Sequence, residues 1–362
     1  MTIMRLGDIC EFKYGSALPE RSRVPGATPV YGSNGEVGTH NQSYTDGPAI
    51  IVGRKGSIGE VNYSPDPCWP IDTTYYIDQS ATEHHLRWLA YALSDLDLGQ
   101  LNKATGVPGL NRNDAYEKTL YVPSLDEQQR IAAILDQAEG VLRKRRETLG
   151  ELDELMQAIF FEMFGDPTSN RKGWDVGKLG DVGILERGVS KHRPRNDPIL
   201  LGGSYPLIQT GDIANADGYV RDFSATYSEV GLKQSRLWPA GTLCITIAAN
   251  IGKTAILAFD ACFPDSVVGF SPNDLVITEF VQHWMGFIQK KLEDDAPQFA
   301  QKNINLAILR DLDIPIPPRI LQDQFRQAVL HVDNLKAISR AHLAKLEALF
   351  ASLQHRAFRG EL

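Results

Sequence analysis

Residues 124–165 read SLDEQQRIAAILDQAEGVLRKRRETLGELDELMQAIFFEMFG. Within them Ile131, Leu135, Ala138, Leu142, Arg145, Leu149, Leu152, Met156, Ile159 and Met163 follow a strict 4-3-4-3 spacing, apolar at nine of ten positions. Apolar residues recurring every 3.5 positions line one side of a helix. The spacing therefore predicts a long helix that buries this seam against a second helix. Ser124-Leu125-Asp126-Glu127 supplies a capping box at its start, and Gly165 followed by Asp166-Pro167 supplies a stop. At a rise of ~1.5 Å per residue such a helix is about 60 Å long, too long to be buried in one small globular domain.

The second helix is in the same chain. Phe325, Val329, Val332, Lys336, Ser339, Leu343, Leu346, Phe350, Leu353 and Ala357 repeat the spacing in the same register, apolar at eight of ten. Working outward, Gln128 falls on Gln322, Val122-Pro123 on Ile316-Pro317 and Leu110-Asn111 on Ile304-Asn305, all at an offset of 194. Lys55-Gly56-Ser57-Ile58-Gly59 falls opposite Ala248-Ala249-Asn250-Ile251-Gly252 at 193, and Leu6-Gly7-Asp8-Ile9 opposite Leu179-Gly180-Asp181-Val182 at 173. The chain is two copies of one unit, each a head followed by a helix. The heads share few residues and differ in length, while the helices match position for position. Two matched seams predict an antiparallel pair, with the polar breaks Arg145 and Ser339 at one repeat position helping to fix register. The alternative is that each helix lays a wide apolar face on its own head.

The heads are rich in Gly, Pro and β-branched residues. Ala49–Val52, Gly59–Tyr63, Thr73–Ile77, Leu243–Ile247 and Thr254–Phe259 read as short strands, and Glu83–Leu96 and Glu279–Leu292 as one helix each. The expected fold class is α+β: two mixed α/β heads, residues 1–123 and 166–316, separated by helices at 124–165 and 317–362 that form an antiparallel coiled coil. A length of 362 residues fits more than one core. With 43% hydrophobic and 23% charged residues the chain is not a disordered one. No stretch is apolar for the roughly 18 residues of a membrane span and no basic-then-apolar leader opens the chain, so the expectation is a soluble, cytoplasmic protein with no membrane partner. Cys10, Cys68, Cys244 and Cys262 are far apart, without Cys-x-x-Cys or paired His spacing, and read as buried free thiols rather than disulfides or metal ligands.

Motifs that would carry chemistry are absent. Ile247–Thr254 ends like a phosphate-binding loop, but Ile247 occupies the place of its first glycine, and the matching segment Lys55–Val61 lacks the Lys-Thr. Gly32, Gly35 and Gly38 have no apolar strand immediately before them and read as a tight turn rather than a dinucleotide site. His84 and His85 are adjacent and cannot share a helix face as ligands. The Pro-Pro at 317–318 lacks the flanking residues of the loop with which adenine methyltransferases grip an extruded base. The chain is expected to be noncatalytic, with no metal and no cofactor of its own.

A net charge of −8 argues against a free-standing nonspecific nucleic-acid binder. Local clusters are nevertheless basic: Arg187, Lys191, Arg193 and Arg195 occur in nine residues without an acid, and Arg54-Lys55 tips a Gly-rich loop. Candidate DNA contacts are Arg54, Lys55 and Lys103 in the first head and Lys191, Arg193, Arg195, Lys253 and Lys302 in the second. Lysine and arginine reach phosphates, and arginine also pairs with guanine in the major groove. The candidate seam is Ile131, Leu135, Leu142, Leu149, Leu152 and Met156 against Phe325, Val329, Val332, Leu343, Leu346 and Phe350.

Taken in order and twice over, these motifs resemble the specificity (S) subunit of type I restriction–modification enzymes. Leu-Gly-Asp opens each head, a Gly-x-Ile-Gly-like element lies in mid-head, and Leu-Asn or Ile-Asn stands near its end. Val-Pro or Ile-Pro-x-Pro-Pro then leads through Gln128 or Gln322 into a heptad helix. The resemblance covers almost the whole chain. It implies that the heads are target recognition domains, each reading half of a bipartite, asymmetric site on double-stranded DNA, and that the helices act as a spacer. It also implies two methyltransferase (M) subunits that methylate adenine N6, with restriction and translocation (R) subunits as further partners. S-adenosylmethionine, ATP and Mg²⁺ would then belong to those partner subunits. A reading from another class is a coiled-coil adaptor whose heads bind proteins or glycans, and salt-sensitive, sequence-selective DNA binding separates the two.

Overall fold

The computed structural model describes residues 2–101, 109–167, 169–248, 251–295 and 305–362. The first head runs through β1 (Thr2–Arg5), β2 (Lys13–Tyr14), β3 (Thr28–Gly32), β4 (Gly35–His40), β5 (Ala49–Gly53), β6 (Val61–Ser64), β7 (Trp69–Pro70) and β8 (Thr74–Asp78). It continues with α1 (Leu86–Asp95), α2 (Arg112–Tyr116) and β9 (Thr119–Val122) into α3 (Leu125–Phe164). The second runs through β10 (Asp175–Lys178), β11 (Gly183–Arg187), β12 (Leu201–Leu207), α4 (Thr210–Asn215), β13 (Tyr219–Val220), β14 (Ala225–Tyr227), α5 (Glu229–Lys233) and β15 (Leu237–Trp238). Then follow β16 (Leu243–Thr246), β17 (Thr254–Leu257), β18 (Ala261–Cys262), β19 (Val267–Pro272), α6 (Thr278–Asp295), α7 (Leu306–Arg310), β20 (Asp313–Ile316) and α8 (Arg319–Ala357).

The heads share a topology despite their divergent sequences. A two-stranded antiparallel sheet pairs the start of each head with its end, β1 with β9 and β10 with β20. The central sheet is ordered β2-β8-β5-β6 in the first head and β11-β19-β16-β17-β13 in the second. A smaller sheet is ordered β4-β3-β7 and β14-β12-β18-β15. The added length of the second head lies largely between β12 and β14, where α4 and β13 replace the two-residue Ser33-Asn34 turn of the first.

The central strands are apolar throughout because both their faces are covered. On β5, Ile50 and Val52 face the core that holds Trp88 and Leu89 of α1, while Ala49 and Ile51 face Cys68 on the other side. On β16, Leu243 and Ile245 join the core that holds Phe280 and Trp284, and Cys244 points with Ala255 toward Trp238 and Phe263. All four cysteines are buried and free, and burial pushes the Cys10 thiol up to about 12.

The chain divides into two compact units, Met1–Glu147 with Ala341–Leu362, and Thr148–Arg340. Each contains one head and a segment of both long helices. In the first, Arg146 pairs with Glu347 at 2.8 Å and Arg130 donates to the Leu362 carbonyl at 3.0 Å, so the helices run antiparallel. In the second, Lys336 bonds Asp153, and Phe325 packs against Phe160 and Phe164 with ring centroids 5.5 and 5.2 Å apart. That pairing is antiparallel as well.

The seam is buried most where a head covers it. Ile131, Leu135 and Leu142 are buried, as are Met156, Phe325, Val329 and Val332, whereas Leu149, Leu152, Leu343, Leu346 and Phe350 are half-buried. Ile131 and Leu135 belong to the first head's core, and Phe325, Val329 and Val332 to that of the second. The seam is therefore also the floor of the heads, and each head takes part of both helices rather than its own alone. One stretch departs from the heptad reading. Toward the end of α3 the fully buried positions are Phe160 and Phe164, and Ile159 and Met163 are only half-buried. The cause is a third surface: Phe280 of α6 lies 5.7 Å from the Phe160 ring and 4.9 Å from that of Phe164, turning the apolar face toward the head.

Candidate nucleic-acid interface

The mid-head motif makes the same turn in both copies. In the first head the Gly53 N–H donates to the Glu60 carbonyl and the Gly59 N–H to that of Gly53, both at 2.8 Å. In the second, the Thr246 N–H donates to Lys253 at 3.0 Å and the Gly252 N–H to Thr246 at 2.9 Å. Gly59 and Gly252 have φ of +76° and +77°, a region L side chains rarely adopt. The recurrence of the closing Ile-Gly, Ile58-Gly59 and Ile251-Gly252, thus has a backbone cause. Ala249 and Asn250 lie outside the described residues.

Two further pieces meet each turn. Arg54 and Lys55 donate their N–H groups to the Thr73 carbonyl at 2.9 and 3.1 Å, as Ile247 does to Ser266 at 3.0 Å. The strand end after β2 or β11 crosses the chain before that carbonyl so closely that a Cβ on Gly15 would lie 2.2 Å from the Ile71 oxygen, and one on Gly188 2.3 Å from that of Phe263. One frame therefore presents the residues that tip it, Tyr14, Arg54 and Asp72 in one head, Arg187, Ile247 and Asp265 in the other.

The side chains on that frame differ between the heads. In the first, the half-buried Arg54 guanidinium sits over the rings of Tyr14 and Tyr75 at 5.2 and 5.8 Å and donates to the Asp72 carbonyl at 2.5 Å. Arg112 lies over the same Tyr14 ring at 5.4 Å, and Tyr14 is 50% exposed. Lys55 is exposed and forms an isolated bridge with Gly109. In the second head Arg187, Lys191, Arg193, Arg195 and Lys253 are exposed. The Lys191 N–H is tied to the Gln234 side chain at 2.7 Å. The run holds no acid of its own, but Asp265 folds onto it, 3.6 Å from Arg193 and 2.5 Å from Arg195. Exposed pairs of this kind are weak, so both guanidinium groups can exchange the carboxylate for another anion. Nearby, the hydrogen bond to His192 at 2.9 Å is the main reason the Asp197 carboxyl is held below its usual range. Lys103 and Lys302 lie outside the described residues.

Tyr14 and Arg112 were not among the sequence candidates. A lone tyrosine and a lone arginine, 98 residues apart, carry no local signal, whereas the equivalence of Asp72 and Asp265 at the offset of 193 could have located the turn opposite them. The adjacent histidines that cannot share a helix face take separate partners: His85 caps α1 and His84 meets Gln128 at 3.0 Å. Burial lowers the affinity of His84 for a proton. Among the described residues no helix is long and apolar enough to cross a membrane.

Comparison with known proteins agrees with this architecture. The family described as type I restriction modification DNA specificity domain matches residues 1–149 and 171–348. The putative type I restriction enzyme MjaX specificity subunit of Methanocaldococcus jannaschii is 23% identical over 259 residues, covering 68% of this chain and 59% of that protein. The type I restriction enzyme EcoBI specificity subunit of Escherichia coli is 22% identical over 348 residues, covering 86% and 73%. The chain thus spans about three-fifths of the length of the archaeal relative. Among solved structures, the type I restriction–modification S subunit from M. genitalium shares the fold with a TM-score of 0.64 at 16% identity, covering 99% of this chain and 96% of the other. With a match over both heads and most of both helices, the chain belongs to the type I restriction modification DNA specificity domain family.

Proposed function

We propose that this chain is the noncatalytic DNA-reading subunit of a type I restriction–modification assembly. Its two heads read the two parts of one asymmetric, bipartite site on double-stranded DNA, and its paired helices set the gap between them. The observation that carries the reading is one head topology used twice on a duplicated helix, with a different set of side chains on the same loop frame each time. Unlike readers on like supports imply two unlike half-sites. Two M subunits that methylate adenine N6 are the partners, with R subunits where restriction occurs. S-adenosylmethionine, ATP and Mg²⁺ belong to those partners. The acidic balance of the chain is compatible with this role, because salt-dependent affinity scales with the phosphates neutralised by the assembly as a whole. Apolar side chains left exposed at equivalent repeat positions, Val141 with Leu335 and Leu155 with Leu349, offer the two M subunits equivalent footholds on the helices. Footprinting the complex with its M partner tests the reading. Two short protected sequences flanking an unspecific gap are expected, and one uninterrupted protected sequence would contradict it.

A further inference from the structure

Glu139 and Asp333 occupy the same position in the two repeats, and each is held by an arginine of its own head. Arg87 of α1 bonds Glu139 and, at 2.5 Å, Asp136. Its guanidinium lies over the rings of Tyr63 and Tyr91 at 4.7 and 4.5 Å. The Tyr91 hydroxyl in turn donates between Asp136 at 2.8 Å and Glu139 at 2.9 Å.

The second head cannot use the same residue. Gln128 accepts the N–H of His85 and Gln322 that of Ile277, which aligns α1 with α6 and puts Glu279 where Arg87 stands. A glutamate there would repel Asp333. Instead Arg221, directly after β13, bonds Asp333 and lies over the Tyr219 ring at 5.0 Å. The Glu279 carboxylate is taken up by Tyr219 at 3.3 Å and Arg326 at 3.2 Å. Among the described residues, strand β13 has no counterpart in the first head. The same helix acid is thus reached by an arginine seated on tyrosine from two unrelated places in the fold.

Exposed ion pairs contribute little to stability. A planar guanidinium fixed by ring stacking and directed at a carboxylate does, however, define an angle. From this we infer that Arg87 and Arg221 are positioning residues: they fix the angle at which each head is seated on its helices, and through it the gap length the protein accepts. The inference rests on the two-reader function proposed above.

The assembly with its M partner is tested for adenine methylation on DNAs with the natural gap and with the gap one base pair shorter or longer. In Arg87→Gln and Arg221→Gln the preference for the natural gap should fall about tenfold, because small misplacements cost rate steeply. Discrimination against mismatched half-sites should persist. Arg221→Lys, which keeps the charge but loses the stacked plane, should relax the gap preference as Arg221→Gln does. A lowered melting temperature with an unchanged gap preference would reduce the clamps to ordinary surface pairs and overturn the inference, as would loss of all methylation in both single variants. A wild-type protein with no gap preference at all would instead overturn the two-reader function itself.

Discussion

The buried side chain of Gln322 accepts the backbone N–H of Ile277 at 2.9 Å while donating to the Pro317 and Leu275 carbonyls at 2.7 and 2.9 Å. Gln128 does the same in the first copy, accepting from His85 at 2.9 Å and donating to Pro123 at 2.9 Å. Each glutamine joins the start of a long helix to the start of the head helix packed against it. The pair of backbone bonds common to both copies, one from the head-helix start and one to the proline before the long helix, explains why this residue recurs; Gln322 adds the Leu275 carbonyl and Gln128 the His84 ring.

Replacing Gln322 by Leu should leave the Ile277 N–H and two carbonyls without partners in a buried setting. The expected cost is about 1–3 kcal/mol, an unmade hydrogen bond being more expensive than a made one is favourable. Chemical denaturation would measure it. An unchanged midpoint would mean that the surrounding backbone finds other partners.

Phe160 is fully buried, within 5.7 Å of the Phe164, Phe280, Phe287 and Phe325 rings. Phe160→Ala should destabilise the second unit by about 3–5 kcal/mol. Ile159→Ala, one residue away on the half-buried side, should cost clearly less. Equal losses would restore the simple heptad picture at this end of α3.

Acid should act on the Lys336–Asp217–Arg340 cluster. Burial by itself would raise the Asp217 carboxyl, but the bond from Arg340 and the Lys336 charge outweigh it and hold the group below its ordinary 3.8. A carboxyl lowered on folding contributes stability that is complete above its unfolded value and fades as pH falls through the folded one. The stability difference between wild type and Asp217→Asn should therefore be largest near neutrality and shrink below about pH 4. Denaturation at a series of pH values would show it. A difference independent of pH would remove the ionic contribution.

Lys253 is exposed on the mid-head turn of the second head. In the assembled complex, Lys253→Ala should weaken binding to all sequences alike and reduce the slope of log K against log salt by about one. An unchanged slope would take this side chain out of phosphate contact.

The helices were legible in the sequence because a seam such as Ile131-Leu135-Ala138-Leu142 needs only a periodic partner. The positions of Phe160 and Phe164 were not, since a third surface, the head, decides which side of the helix is covered. Duplication was legible from Leu-Gly-Asp and from the recurring Ile-Gly, whose glycine is required by the positive φ at Gly59 and Gly252. The shared sheet order was hidden, because apolar strands such as β5 and β16 need only be apolar, not alike. At the candidate interface, exposed lysines were readable one by one. The approach of Asp265 to Arg195 across 70 residues, and the stacking of Arg54 and Arg112 on Tyr14, required the fold.

The proposed function requires the paired helices to hold two unlike readers at a fixed spacing. Inserting seven residues at equivalent points of α3 and α8 adds ~10 Å of helix, which corresponds to about three base pairs at ~3.4 Å each. Sequencing N6-methyladenine in cells carrying the wild-type or the lengthened chain gives the decisive comparison. The same two half-sites are expected in both, with a gap longer by about three base pairs in the second, at the rises just given. Methylation at one continuous sequence, or a gap that does not change with the insertion, would contradict it.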